Sequence, residues 1–206
     1  MAIIDPEAST KIQPELLTGE TLVWAGKPDP SVVFHSDDWY AIPFSLLWGG
    51  FAIFWEAGVL GYWGNAAKNG TVSTFMVLWG IPFVVIGQYL IWGRFFYEAW
   101  LKRRTYYAIT NRRVLVLQEG WKRKTSWIYV SSIPTLQRED STSVGTLWFG
   151  PKYPVIAGRG QKTRGLSRLS IGDVPVFADI TEIDWVYRTV MDMREQSEKR
   201  MAEVSR

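Results

Sequence analysis

Two long apolar runs in tandem constrain this chain more than any other feature. From Trp39 to Leu60 the only charged residue is Glu56, and Val72 to Trp92 carries no charge at all. At about 1.5 Å per residue, each run is long enough as a helix for a hydrocarbon core of about 30 Å. A chain of 206 residues cannot build a core large enough to bury two such helices, so both are expected to cross a bilayer. Between them Gly61, Gly64, Asn65, Asn69 and Gly70 favour turns, which predicts a short link and an antiparallel hairpin. Trp39, Tyr40, Tyr62, Trp63, Trp92, Tyr97 and Trp100 mark span ends, as aromatic rings do at headgroup depth.

Basic residues set the expected orientation. The link carries only Lys68, whereas Arg94, Lys102, Arg103, Arg104, Arg112 and Arg113 closely follow the second span. That bias places the C-terminal side in the cytoplasm, and two crossings return the N-terminus to the same side. No cleavable signal peptide is visible: the chain opens without a basic region, and its first apolar run starts near residue 39.

Within the spans, Ser45, Gly49, Ala57, Gly61, Gly80 and Gly87 allow close helix packing, either inside the hairpin or between subunits. Pro82 removes a backbone donor in mid-span and predicts a kink near Leu78. Glu56 is the one intramembrane carboxylate. Such a residue suggests an ion path, a proton relay or a partner contact, but Glu56 lies within two turns of Tyr62 and Trp63, close to interfacial water.

After Trp100 the pattern changes to short β-branched and aromatic segments separated by turn residues. Strands are predicted at Thr105 to Thr110, Val114 to Gln118, Ser126 to Val130, Thr135 to Arg138, Val144 to Phe149, Leu169 to Ile171 and Val174 to Phe177. Asn111-Arg112, Glu119-Gly120 and Gly172-Asp173 supply turns. About seven short strands suggest a small sandwich or an open barrel. Asp179 or Thr181 is expected to cap a final helix whose Ile183, Val186, Tyr187, Val190 and Met193 share one face and pack on the sheet. Glu20 to Gly26 also reads as a strand, either docked on a sheet edge or held as a tether. The organisation expected is an N-terminal cytoplasmic segment (1–38), a two-helix hairpin (39–92), a cytoplasmic domain (99–193) and a charged, fraying tail (194–206).

The stretch Tyr106-Tyr107-Ala108-Ile109-Thr110-Asn111-Arg112-Arg113-Val114, placed just after a span, resembles the first hairpin of the bacterial PH-like domain membrane proteins. Val144-Gly145-Thr146-Leu147 is similar to a later strand of that family, and Phe177 to Ile180 leading into a helix resembles its end. The resemblance covers roughly Leu101 to Met193. It implies a mostly-β, α+β PH-like barrel of seven strands capped by a C-terminal helix, joined to a membrane hairpin in the bacterial cytoplasmic membrane. It implies no enzymatic activity. The long basic loop Gly150 to Ser167 departs from the pattern.

Composition excludes several chemistries. With no cysteine there are no disulfides, thiolate metal sites or cysteine nucleophiles, and the single histidine, His35, sits beside Asp37 and Asp38 without a second ligand cluster. No Gly-x-Ser-x-Gly occurs, and Gly158 to Thr163 lacks the Gly-Lys-Ser/Thr ending of a phosphate loop. The expectation is a protein without catalytic residues, cofactor or metal. Lys102, Arg103, Arg104, Arg112, Arg113, Lys122, Arg123 and Lys124 are the candidate contacts to anionic headgroups or to a partner, and the bilayer outcompetes nucleic acid for them. A membrane-anchored binding or scaffold module follows, assembling with itself or with a membrane partner. The alternative is a small transport or channel subunit that uses Glu56.

The hairpin topology is directly testable, because a chain without cysteine accepts single labelling sites. Cysteines introduced at Asn65 and Ser197 should react with impermeant reagents from opposite faces of the membrane, Asn65 from outside. Reaction of both from one face would overturn the hairpin.

Overall fold

A computed structural model describes residues 4–32, 38–61, 74–141, 144–151, 170–171 and 174–204. The elements in chain order begin with α1 (Pro6–Ile12), a 3-10 turn (Gln13–Glu15), β1 (Leu22–Gly26), α2 (Asp38–Val59) and α3 (Thr74–Gln88). A π-helical turn (Tyr89–Gly93) and α4 (Arg94–Lys102) follow, then β2 (Thr105–Thr110), β3 (Arg113–Glu119) and β4 (Arg123–Tyr129). Beyond a 3-10 turn (Val130–Ser132) come β5 (Gln137–Asp140), β6 (Gly145–Trp148), β7 (Ser170–Ile171), β8 (Val174–Ile180) and α5 (Ile183–Val204). The chain divides into two compact units: Met1–Ser31 with Ala99–Arg206, and Val32–Glu98.

The first unit holds all the strands, in two antiparallel sheets. One runs β1-β2-β3-β4; the other runs β5-β6-β8, with the short β7 paired to the start of β8. No strand pairing joins the two sheets among the described residues, so in place of the PH-like barrel that the resemblance implies there is an open pair of packed sheets, nearer to the small sandwich that the strand pattern also suggests. The N-terminal strand does dock: Trp24, Ala25 and Gly26 of β1 align with Ile109, Ala108 and Tyr107 of β2. That covers an edge which would otherwise invite pairing with another chain.

The strand TYYAIT of β2 is buried along its whole length because both faces of the central strands are covered. Tyr107, Ile109, Val114 and Val116 face the second sheet and α5, in a core with Leu147, Phe149 and Phe177. Tyr106, Ala108, Leu115 and Leu117 face the other way, onto Ala8 and Ile12 of α1. Continuous apolar runs are what a doubly covered strand requires. Phe177 centres the main core, with its ring centroid 4.6 Å from Tyr107, 4.9 Å from Phe149 and 5.7 Å from Trp24.

Helix α1 starts on local signals: the Asp5 side chain accepts from the Ala8 N–H at 2.8 Å, and Pro6 occupies the first turn. At the other end, Ile183, Val186 and Val190 of α5 are buried in the main core, as their spacing predicts. Gly145 marks the contact, since a methyl there would lie 2.2 Å from Ile183 Cδ1. Asp179 does not cap α5; it is the penultimate residue of β8, with a φ of 53°, and its carboxylate meets Lys102. Nor does the helix fray at Arg194. It continues to Val204 through good helix formers, with Arg194–Glu198 and Lys199–Glu195 pairs one turn apart.

Two helical stretches are long and apolar enough to cross a membrane, Ile42–Val59 in the second unit and Phe75–Lys102, whose last four residues belong to the first. Their large side chains are exposed, Leu47 to 74% and Phe51 to 64%. Helices α2 and α3 pack against each other. The small residues serve that contact: a methyl on Gly87 would lie 2.8 Å from Gly49 Cα, so the two backbones touch there. The helix runs on through Pro82, and departure from α geometry comes later, in the π-helical turn. The link residues 62–71 lie outside the described residues, as do His35, Asp37 and the loop from 152 onward.

Because β1 and α1 belong to the sheet unit, a fragment starting at Ala99 lacks part of its own core. Such a fragment should aggregate or unfold without a cooperative transition, whereas residues 4–31 joined to 99–204 should melt cooperatively by circular dichroism. Identical melts would show that the N-terminal segment is dispensable. In the whole chain, Ile12→Ala should cost about 2–5 kcal/mol as a large-to-small change at a fully buried site.

Candidate functional site

The eight basic residues picked out by the sequence do not form one surface. The antiparallel register sorts them. Thr105 of β2 stands opposite Gln118 of β3, and Arg123 of β4 stands opposite Glu119, so Arg103, Arg104 and the β3–β4 turn share one end of the sheet. The Glu119 N–H donates to the Arg104 carbonyl at 2.8 Å and fixes that end. Arg112, in the β2–β3 turn, lies at the opposite end, about 20 Å away for six residues of strand.

Lys102 and Arg113 are withdrawn from any headgroup contact, because both are buried against carboxylates. Lys102 Nζ lies 2.7 Å from Asp179 Oδ2, with both side chains inaccessible. Arg113 meets Glu20 through two bonds, Nε to Oε1 at 2.9 Å and Nη2 to Oε2 at 3.0 Å. Glu20 Oε1 also accepts from Thr110 Oγ1 at 2.6 Å, and Oε2 from the Leu17 N–H at 2.8 Å. Burial pushes the Glu20 carboxyl up, but the bonds from Arg113, Leu17 and Thr110 outweigh it and hold the group below its ordinary 4.5. A sequence shows charge without burial, which is why these two looked like their neighbours.

What remains at the shared end is a compact basic tip. Arg103, Arg104, Lys122, Arg123 and Lys124 are all exposed, although Arg123 pairs with Glu15 at 2.7 Å. Trp121 stands among them with 88% of its surface exposed, the most exposed large apolar side chain described. Gly120, beside it, packs so closely that a methyl there would lie 3.2 Å from Leu101 Cδ1 and 3.9 Å from the Trp100 ring. The Arg104 guanidinium lies 4.9 Å from the Trp100 ring centroid. Sequence reasoning missed Trp121. A lone tryptophan in a turn between Gly120 and three cations was the available signal.

Glu56 lies on α2 with its carboxylate against α3. A methyl on Gly80 would fall 1.7 Å from Glu56 Oε2, and that oxygen is buried without a hydrogen-bond partner among the described residues. Beside it, Trp48, Phe51, Ala52, Trp55, Trp79 and Phe83 line a cavity of about 210 Å³ whose apolar walls suit no polar substrate. No group of three or more His, Asp or Glu side chains gathers as a metal site among the described residues.

Comparison of the chain with protein-family models, with curated proteins and with solved structures gave no match.

The Arg113–Glu20 pair carries a prediction. Glu20→Gln leaves the guanidinium buried without its counter-charge and should cost about 3–5 kcal/mol, read as a lowered melting temperature in detergent. A joint Arg113→Met and Glu20→Leu change should cost less than either single change. Because Glu20 is held low when folded, its contribution is full above its unfolded value near 4.5 and is lost as pH falls through the folded one. The wild type should therefore lose stability below about pH 4.5, and the double variant should lose less over the same range.

Proposed function

We propose that this chain is a non-enzymatic, membrane-anchored binding module whose PH-like sheet unit engages anionic headgroups at the inner leaflet of the bacterial cytoplasmic membrane. The observation that carries this reading is the β3–β4 turn, where exposed Trp121 is flanked by Lys122, Arg123 and Lys124 and backed by Arg103 and Arg104. Tryptophan prefers the membrane interface, and each nearby cation contributes about 1 kcal/mol toward an anionic surface. Trp100 and Leu101, against which the turn packs, follow the second apolar run within ten residues of sequence. The pairing of β1 with β2 supports the two-crossing arrangement, because it requires residues before and after the helix pair to share a compartment.

A transport subunit is the second reading, favoured by the buried, unpartnered Oε2 of Glu56. It is the weaker one, since no other Asp, Glu, His, Lys or Arg occupies 42–59 or 75–93 to pass a proton on. Glu56→Gln in proteoliposomes separates the two: loss of ion or proton flux would displace the binding module, and unchanged permeability removes the transporter.

The headgroup contact is tested with the whole chain in nanodiscs, carrying an environment-sensitive dye on Lys122→Cys. In anionic discs the dye emission should shift to the blue and be quenched by lipid-borne quenchers, with both effects fading at high salt as the Debye length shrinks below about 8 Å. Trp121→Ser with Lys124→Gln should weaken the response several-fold, at about 1 kcal/mol for the lysine alone. A signal indifferent to lipid charge would mean that the tip faces away from the bilayer.

A further inference from the structure

Arg112, isolated at the far end of the sheet, lines an open cleft of about 500 Å³ between the β2–β3 turn, the 3-10 turn after β4 and the C-terminal half of α5. Arg200, from α5, lines the same cleft. We propose that this cleft binds a soluble organic phosphate, held through the guanidinium groups of Arg112 and Arg200.

The first argument is charge. Among the described residues of the sheet unit, six cations outside α5 pair with a carboxylate: Lys11 with Glu119, Lys27 with Glu7, Lys102 with Asp179, Arg113 with Glu20, Arg123 with Glu15 and Arg138 with Asp140. Even on α5, Arg194 and Lys199 pair with Glu198 and Glu195. Arg112 and Arg200 have no carboxylate partner among the described residues, and no carboxylate lines the cleft they share. Two like charges kept together without counter-charge favour an anion between them.

Donor chemistry points the same way. Asn111 Oδ1 accepts the Thr21 N–H at 3.1 Å, which leaves its amide nitrogen to donate, and Ser131 and Gln196 add further donors to the lining. Phosphate offers three terminal oxygens and up to two charges, enough for two planar guanidinium forks; a carboxylate is satisfied by one. Val130, Met193 and the half-exposed ring of Tyr129 form the apolar remainder, suited to the organic part of the ligand. The position excludes the headgroups engaged by the tip, because the cleft lies at the opposite strand end. The anion site itself is independent of the headgroup reading, as neither arginine belongs to that tip, while the soluble source of the phosphate rests on it.

The test uses the whole chain in neutral-lipid nanodiscs, titrated calorimetrically with phenyl phosphate, inorganic phosphate and benzoate. Phenyl phosphate should bind more tightly than inorganic phosphate and at least about fivefold more tightly than benzoate. Arg112→Gln and Arg200→Gln should each weaken it at least about tenfold, both residues being exposed and free of structural bonds from their guanidinium groups. Arg188→Gln, exposed on the same helix but outside the cleft, should leave binding unchanged. No heat with phenyl phosphate at millimolar concentration, or an equal loss in Arg188→Gln, would overturn the site. Displacement of phenyl phosphate by phosphatidic acid placed in the same discs would overturn the soluble source and assign the cleft to lipid.

Discussion

The sheet unit depends on one interaction, the antiparallel pairing of β1 with β2, which joins two stretches of chain separated by the whole apolar helix pair. Around that pairing the polar contacts are unusually costly to lose. Glu20, just before β1, reaches Arg113 and Thr110 on either side of the β2–β3 turn, and Trp24 Nε1 donates to Glu182 at the start of α5. The Asp29 N–H donates to the Asp179 carbonyl at the end of β8. The N-terminal segment is therefore bonded to both sheets, and it closes over a core that the remainder of the unit leaves open. Both outer ends of the α2–α3 pair therefore lead into one folded body.

The basic residues show how environment divides a single residue type. Lys102 and Arg113 are desolvated and held by carboxylates, where their worth is structural and large only because removing a partner strands the other charge. The tip cations are exposed, where a charge is worth little to stability. Arg112 belongs to neither set. A strand only six residues long separates it from the tip, yet that length exceeds the screening distance in physiological salt.

Much of the architecture was legible before any coordinates. The two apolar runs, the β2–β3 hairpin with its Asn111-Arg112 turn and the apolar face of α5 rest on short-range patterns, and these survive into the structure with shifts of a few residues. The fate of the N-terminal segment was not legible. Its strand was visible, but docking depends on a partner about 80 residues away, and α1 is too short for periodicity to reveal. The candidate site was half legible for the same reason. Sequence gives the positions of charges but neither their depth nor their register, so buried Lys102 could not be told from exposed Arg103. Trp121 was overlooked because apolar residues were read as core or span, and an aromatic exposed in a turn fits neither.

The distance along the chain between β1 and β2 has a consequence for biosynthesis. At about 5–20 residues per second, a ribosome that has finished Gly26 needs about 4–16 s more to supply the strand that covers it. During that interval Trp24 and the apolar side of α1 have no partner, while both apolar helices are being made and delivered. The sheet unit can therefore complete itself only after the helix pair has been handled. A chain whose synthesis stalls within the helix pair is left with an unpaired N-terminal strand.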